Sequence, residues 1–305
     1  MFNNKFFSFL RRFYKGNPAA IIGSIIVATV LFMSINASWI AENDPNKRVA
    51  RGHQPPSAEL LLGSTRSGKD VFSQVLHGGK ISLLVAFSAA AITTVIAVAV
   101  GISAGYFGGR VDEILMSMTN IVLVFPQLPL LIIIAAFVGQ VGPLVIALII
   151  GLSSWAWGAR VIRSQTMAIR NKEFVLAAEV MGESKFRIIF VEILPNLISI
   201  VVGGAMGTCI YALMAEAGLE FLGLGDPTII TWGTMLFWAQ SNSAFIVGAW
   251  WDMVVPGAAI AIFGGGLALL NMSIDQVSNP KLKTGGYIKT WRKMKAETEA
   301  KRAAA

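Results

Sequence analysis

Charge is scarce in this chain. Acidic and basic residues together make up 14% of its 305 positions, while 55% are hydrophobic and mean hydropathy is +0.65. A soluble domain carries about a quarter charged residues, and so little charge cannot clothe a water-facing surface. Cysteine is nearly absent. The lone Cys209 excludes an intramolecular disulfide and a cysteine-based metal site, and its apolar neighbours mark it as a small buried residue. With only two histidines, neither a metal-ligand cluster nor a nucleophile constellation can be assembled, so no catalysis and no cofactor in this chain are expected.

What is present is apolar sequence in long runs. Stretches of about 20 residues suffice to cross a bilayer, and six are predicted: residues 18–40, 81–107, 114–137, 142–161, 197–222 and 249–274. The first is too long for a secretory apolar core, with only a weak cleavage site at Ser34, Ala37 and Ser38, and is expected to be a retained helix. The expected class is therefore all-α integral membrane, with both termini on one side. The net charge of +8 then reports topology. All but six of the 25 lysines and arginines fall in the N-terminal segment, the second loop (Arg110), the fourth loop and the tail; the third and fifth loops carry none. Basic residues stay cytoplasmic, which predicts N-in and C-in. The other six lie in loop 41–80, where four acids accompany them. No aromatic-interleaved basic fold is present, so a nucleic-acid partner is not expected; membrane lipid is.

Three segments divide the chain: residues 1–17, a transmembrane domain at 18–280, and a basic cytoplasmic tail at 281–305. Within the first, residues 2–14 place Lys5, Arg11 and Arg12 among phenylalanines, a pattern for an amphipathic helix at the membrane interface or for a loose tail. In the periplasmic loop 41–80, Gly63-Ser64-Thr65-Arg66-Ser67-Gly68-Lys69-Asp70 imitates a phosphate-binding loop. It has Asp70 where Ser or Thr must hold magnesium, and it lacks the strand and helix of a soluble α/β domain. Nucleotide binding is rejected there.

The cytoplasmic loop 162–196 is far longer than a hairpin needs. Glu173 and Phe174 open a short helix, acidic at its N-terminus; small Ala177 and Ala178 let another surface approach, and Gly182 ends it in a left-handed turn. A second helix with Phe186, Ile189, Phe190 and Ile193 as its apolar stripe leads back to the membrane, where Leu194-Pro195 opens the next span. This is either a docking knuckle or a re-entrant helix packed on its own bundle. Glu216 and Glu220, four apart near the outer end of the fifth span, share one helix face. Carboxylates at membrane depth usually face a bundle interior or a water-filled path, although at the interface an anchored, solvated helix end explains them equally. Trp232-Gly233 and Trp250-Trp251 suit an aromatic belt, and Gly264-Gly265-Gly266 close helix packing.

Two alanines, a glycine four residues on and Leu-Pro thirteen later resemble the cytoplasmic signature of binding-protein-dependent ABC permeases. From about Arg11 to Lys281 the chain is similar to the C-type permease subunit of the dipeptide/oligopeptide/nickel importer family. The likeness rests on Asn17-Pro18 with Ile22-Gly23, Asn43-Asp44-Pro45, Gly63-Ser64 with Gly68-Lys69-Asp70, Glu216-Ala217-Gly218 with Phe221-Leu222-Gly223-Leu224-Gly225, Trp232-Gly233 and Pro256-Gly257. It departs at Leu176, Lys69, Glu192 and Glu220. The resemblance implies a type I ABC importer permease fold in the inner membrane and a homologous second permease subunit. It also implies two cytoplasmic ATPase subunits that bind ATP and magnesium, and a periplasmic or lipid-anchored substrate-binding protein. On it, Glu173, Phe174, Ala177, Ala178, Gly182, Leu194 and Pro195 couple to an ATPase subunit, and Glu216, Glu220 and Trp232 are candidates for the translocation path or periplasmic gate. Peptides are the expected solute, with oligosaccharides or nickel as alternatives; an ion-coupled secondary transporter is the rival from another class.

Overall fold

The computed structural model describes residues 13, 14, 17–278, 291 and 295. The amphipathic segment before Phe13 and most of the basic tail lie outside the described residues. Among those described, every regular element is a helix, and β pairing is confined to two isolated bridges, Ser64 with Asp70 and Val141 with Gly225.

Helix α1, Pro18–Ile35, begins where the Asn17 side chain accepts from the Ala20 N–H at 3.2 Å, with Pro18 in the first turn, where a missing N–H costs nothing. It stops at Asn36, and a four-residue α2, Ala37–Ile40, completes the predicted first span. Helix α3, Val71–Phe107, starts ten residues earlier than hydropathy predicts. Gln74, His77 and Lys80 hide this first part from an apolar criterion, yet it is helical because the Asp70 carboxylate accepts the Phe72 N–H at 3.0 Å. Ser73 and Gln74 then tie it to the first loop, donating to the carbonyls of Asn43 and Pro45. At 37 residues, α3 is on the order of 55 Å long, well beyond a hydrocarbon core of about 30 Å.

The third and fourth predicted spans are not straight helices. Residues 114–137 belong to α4 (Gly109–Val124) and α5 (Gln127–Val138), bent by 83°. Pro126 is the cause, since a residue before proline is driven out of the helical region, and Phe125 sits at ψ 131°. Helices α6 (Pro143–Ser153) and α7 (Trp155–Arg170) meet at 42°. Helix α8, Glu173–Val180, follows, then α9, Lys185–Arg187, which passes through a π-helical turn at Ile188–Ile193 into α10, Leu194–Phe221, without a break. Pro195 does not open that helix; it widens it, because proline has no N–H for the Val191 carbonyl and its ring crowds that oxygen. Helices α11, Trp232–Ser241, and α12, Trp251–Ser278, complete the chain.

Four helical stretches are long and apolar enough to cross a membrane alone, and six spans result if each bent pair counts as one. Helix α3 runs through the middle, packed on α1, α6, α7 and α10. Helices α1 and α12 approach closely at Gly23 and Gly266: a Cβ on Gly23 would lie 2.8 Å from the Gly266 carbonyl oxygen, and one on Gly266 2.8 Å from Ile26. Of the three consecutive glycines in α12, Gly266 is the one this packing requires.

Candidate functional site

At the end of the bundle holding the C-terminus of α3, α8 packs against α7 and the π-helical turn. Val175 and Ala178 are its buried side, sharing a core with Ala97, Tyr106, Ile162, Ile188 and Ile193. Phe174, Leu176, Ala177, Val180 and Met181 are exposed, Val180 at 88% and Met181 at 75%. The two alanines thus point in different directions, and only Ala177 is open to a partner. Gly182 ends α8 at φ 78°. Its N–H donates to the Glu179 carbonyl and that of Glu183 to the Ala178 carbonyl, the paired closure that requires a left-handed residue. Glu173 is exposed in the first turn, Leu194 packs partly into the core below and Pro195 is exposed. The buried stripe of the following helix is Ile188 and Ile193, whereas Phe186 and Phe190 stack on each other at its surface. Three contacts fasten this end. The Tyr106 hydroxyl donates to Glu179 (3.4 Å), the Arg170 guanidinium lies over the Tyr106 ring, and Arg163 forms a two-pronged ion pair with Asp112 of α4 at 2.5 and 2.6 Å.

At the opposite end, Glu216 and Glu220 are 0% and 3% exposed, which removes the solvated-end alternative. The Ser82 hydroxyl of α3 donates to Glu216 Oε1 at 3.0 Å and accepts the Trp232 N–H at 3.0 Å. The Thr231 hydroxyl donates to Glu220 Oε2, and Trp232 Nε1 donates to the Val75 carbonyl at 2.8 Å. Glu216, Glu220 and Trp232 therefore come together, joining α3, α10 and the start of α11. Glu216 Oε2 is buried without a hydrogen-bond partner among the described residues. Gly233 makes room for the cluster, since a Cβ there would lie 2.8 Å from the Glu220 Cβ. Ser82 and Thr231, which hold the carboxylates, carry no signal in the sequence; Ser82 is 134 residues from Glu216. Trp232 and Trp251 are buried rather than part of an aromatic belt; Trp251 Nε1 donates to the Ser64 carbonyl.

The imitation phosphate loop is a closed turn. Thr65 N–H donates to the Lys69 carbonyl and Gly68 N–H to that of Thr65, while both Asp70 oxygens are engaged, one at the helix cap and the other by Asn43. Beside it a cavity of about 650 Å³ opens between this turn, the fifth loop, α11 and the first turn of α12. Asp252 borders it, a carboxylate at the head of a predicted span and 3% exposed. An acid inside an apolar run is a functional signal in its own right, and Asp252 carries it. Glu216, Glu220 and Trp232 are not in this cavity's walls.

Long apolar helices packed around one central helix, with a short half-exposed helix at one end, define a multi-pass membrane protein. Residues 97–284 match the family described as binding-protein-dependent transport system inner membrane component, and residues 6–56 match the N-terminal transmembrane domain of oligopeptide transport permease C. The chain belongs to this permease family and is a multi-pass inner-membrane protein. It is 34% identical over 278 residues to a dipeptide transport system permease protein of Alkalihalophilus pseudofirmus, covering 88% of each chain. It is 30% identical to a di/tripeptide transport system permease protein of Pseudomonas aeruginosa, over 90% of this chain and 93% of that one. To an oligopeptide transport system permease protein of Bacillus subtilis it is 29% identical over 88% of each. This membership sets aside the ion-coupled secondary transporter.

Proposed function

We propose that this chain is one of two homologous permease subunits that together line the translocation path of a peptide importer. On this reading the chain has six spans, each bent pair counting as one, with both termini in the cytoplasm, as the distribution of its basic residues favours. Helix α8 is the coupling element: it inserts Phe174, Leu176, Ala177, Val180 and Met181 into a groove on one of two ATPase subunits, which carry the ATP and magnesium. The exposed apolar side of α8 is the observation that supports this most directly, because a helix seated on its own core through Val175 and Ala178 still leaves large hydrophobic side chains uncovered, and such a patch marks an interaction surface. Closure of the ATPase dimer pushes α8. Glu179 passes that motion to Tyr106 on α3, and α3 carries it roughly 36 Å along its axis to Ser82 and the Glu216–Glu220–Trp232 cluster, which serves as the periplasmic gate. A periplasmic or lipid-anchored binding protein delivers the solute.

Peptide as the solute rests on the names of the relatives. The test is uptake by the assembled complex in proteoliposomes, with its binding protein and ATP inside. A labelled tripeptide should accumulate and an oligosaccharide or nickel should not; accumulation of either of those without peptide would reassign the solute.

A further inference from the structure

Asp252 is an unusual carboxylate. It is 97% removed from water, and neither a hydrogen-bond donor nor a cation reaches its side chain among the described residues. It faces a cavity of about 650 Å³, within the range of about 300–1,000 Å³ typical of small-molecule sites. A carboxylate so far from water is costly to ionise; its place in the first turn of α12 offsets part of that cost, and a cationic group from outside the chain would offset the rest. The other walls narrow its chemistry. A divalent metal would need several oxygen ligands, and no group of three His, Cys, Asp or Glu residues occurs among the described residues. Met235 and the Trp238 ring add apolar surface that a bare monovalent ion does not use. At the mouth, Arg66 and Lys69 supply positive charge, and Arg66 reaches Asn242 at 3.4 Å across the opening. Those cations oppose a simple amine and favour a molecule that carries an anionic group beyond its ammonium.

We infer that this cavity is a subsite for the free α-ammonium end of a short zwitterionic peptide, with Asp252 as counter-charge, Trp238 and Met235 against the first side chain, and Arg66 and Lys69 toward the carboxylate end. The inference rests on the peptide reading above and adds a site to it. Ammonium–carboxylate contacts are among the stronger hydrogen bonds.

The test uses the full complex in nanodiscs without its binding protein, titrated with trialanine and with N-acetyl-trialanine by saturation-transfer NMR. Trialanine should bind at least about tenfold more tightly, a difference of about 1.4 kcal/mol. Asp252→Asn should abolish that preference and Asp252→Glu should retain most of it, while Arg66→Ala should weaken both ligands. Equal affinity of the two peptides for the wild type, no binding of either, or a preference that survives Asp252→Asn would overturn the site. Peptide uptake by the complete importer, measured alongside, separates the two ideas. Uptake without an ammonium preference sinks the subsite alone, whereas uptake of nickel or sugar in place of peptide sinks the peptide reading.

Discussion

Ser82 does more than its size implies. One hydroxyl satisfies both a buried carboxylate oxygen and the first N–H of α11, so removing it strands a donor and an acceptor together. Each buried unsatisfied group costs about 1–3 kcal/mol. Ser82→Ala should therefore lower the thermal midpoint of the purified complex by several degrees, whereas Ser67→Ala, on the exposed turn of the first loop, should leave it in place. Equal midpoints for wild type and Ser82→Ala would mean that the cluster contributes nothing to holding α3, α10 and α11 together. Gly182 matters for a different reason. At φ 78° an L-residue costs roughly 1–2 kcal/mol, more when β-branched. Gly182→Val should reach the membrane but lose the stimulation of ATP hydrolysis by loaded binding protein; full stimulation would show that the end of α8 need not be held.

At the scale of elements, α8 turns two adjacent alanines into opposite experiments. Ala178 is buried against Val175, Ile188 and Ile193, so Ala178→Arg overpacks the chain's own core, at a cost of roughly 1–3 kcal/mol or more, and should reduce the amount of folded permease. Ala177 is exposed, so Ala177→Arg should leave expression and thermal midpoint unchanged while ATPase subunits fail to co-purify. If Ala177→Arg retained its ATPase subunits and full uptake, α8 would be a re-entrant helix of the bundle and not the coupling element. The π-helical turn that follows, Ile188–Ile193, keeps α9 and α10 continuous: Pro195 widens the helix rather than breaking it.

At the scale of the molecule, the orientation can be read by thiol labelling in a Cys209→Ser background, since Cys209 is 2% exposed. Ser64 is 0% exposed and a poor probe; Ser67 on the same turn is exposed, as is Ser184 beyond α8. Ser67→Cys should react with an impermeant reagent added to intact cells, and Ser184→Cys only after permeabilisation. Labelling of Ser184→Cys from outside would invert the proposed topology. With that orientation, α8 and the cavity beside Asp252 would lie on opposite sides of the membrane, joined by α3.

What the sequence alone determined is what hydropathy and short-range chemistry encode: an all-helical membrane class, the apolar helical regions, and the short helix Glu173–Val180 with its glycine stop at Gly182. Each of these follows from neighbours a few residues apart, because a lipid-facing backbone must satisfy its hydrogen bonds within its own helix. Tertiary structure decided the rest. The polar start of α3 is helical because Asp70 caps it and the first loop binds it, which an apolar criterion does not register. The 83° bend at Pro126 is instead local proline chemistry, present in the sequence but averaged away by a hydropathy window. The two directions of Ala177 and Ala178, the burial of Glu216 and Glu220, and the solitary carboxylate of Asp252 depend on partners distant in the chain, as Ser82 is 134 residues from Glu216. Spacing along a sequence cannot report such partners, because burial is a property of what the other helices bring to the same place.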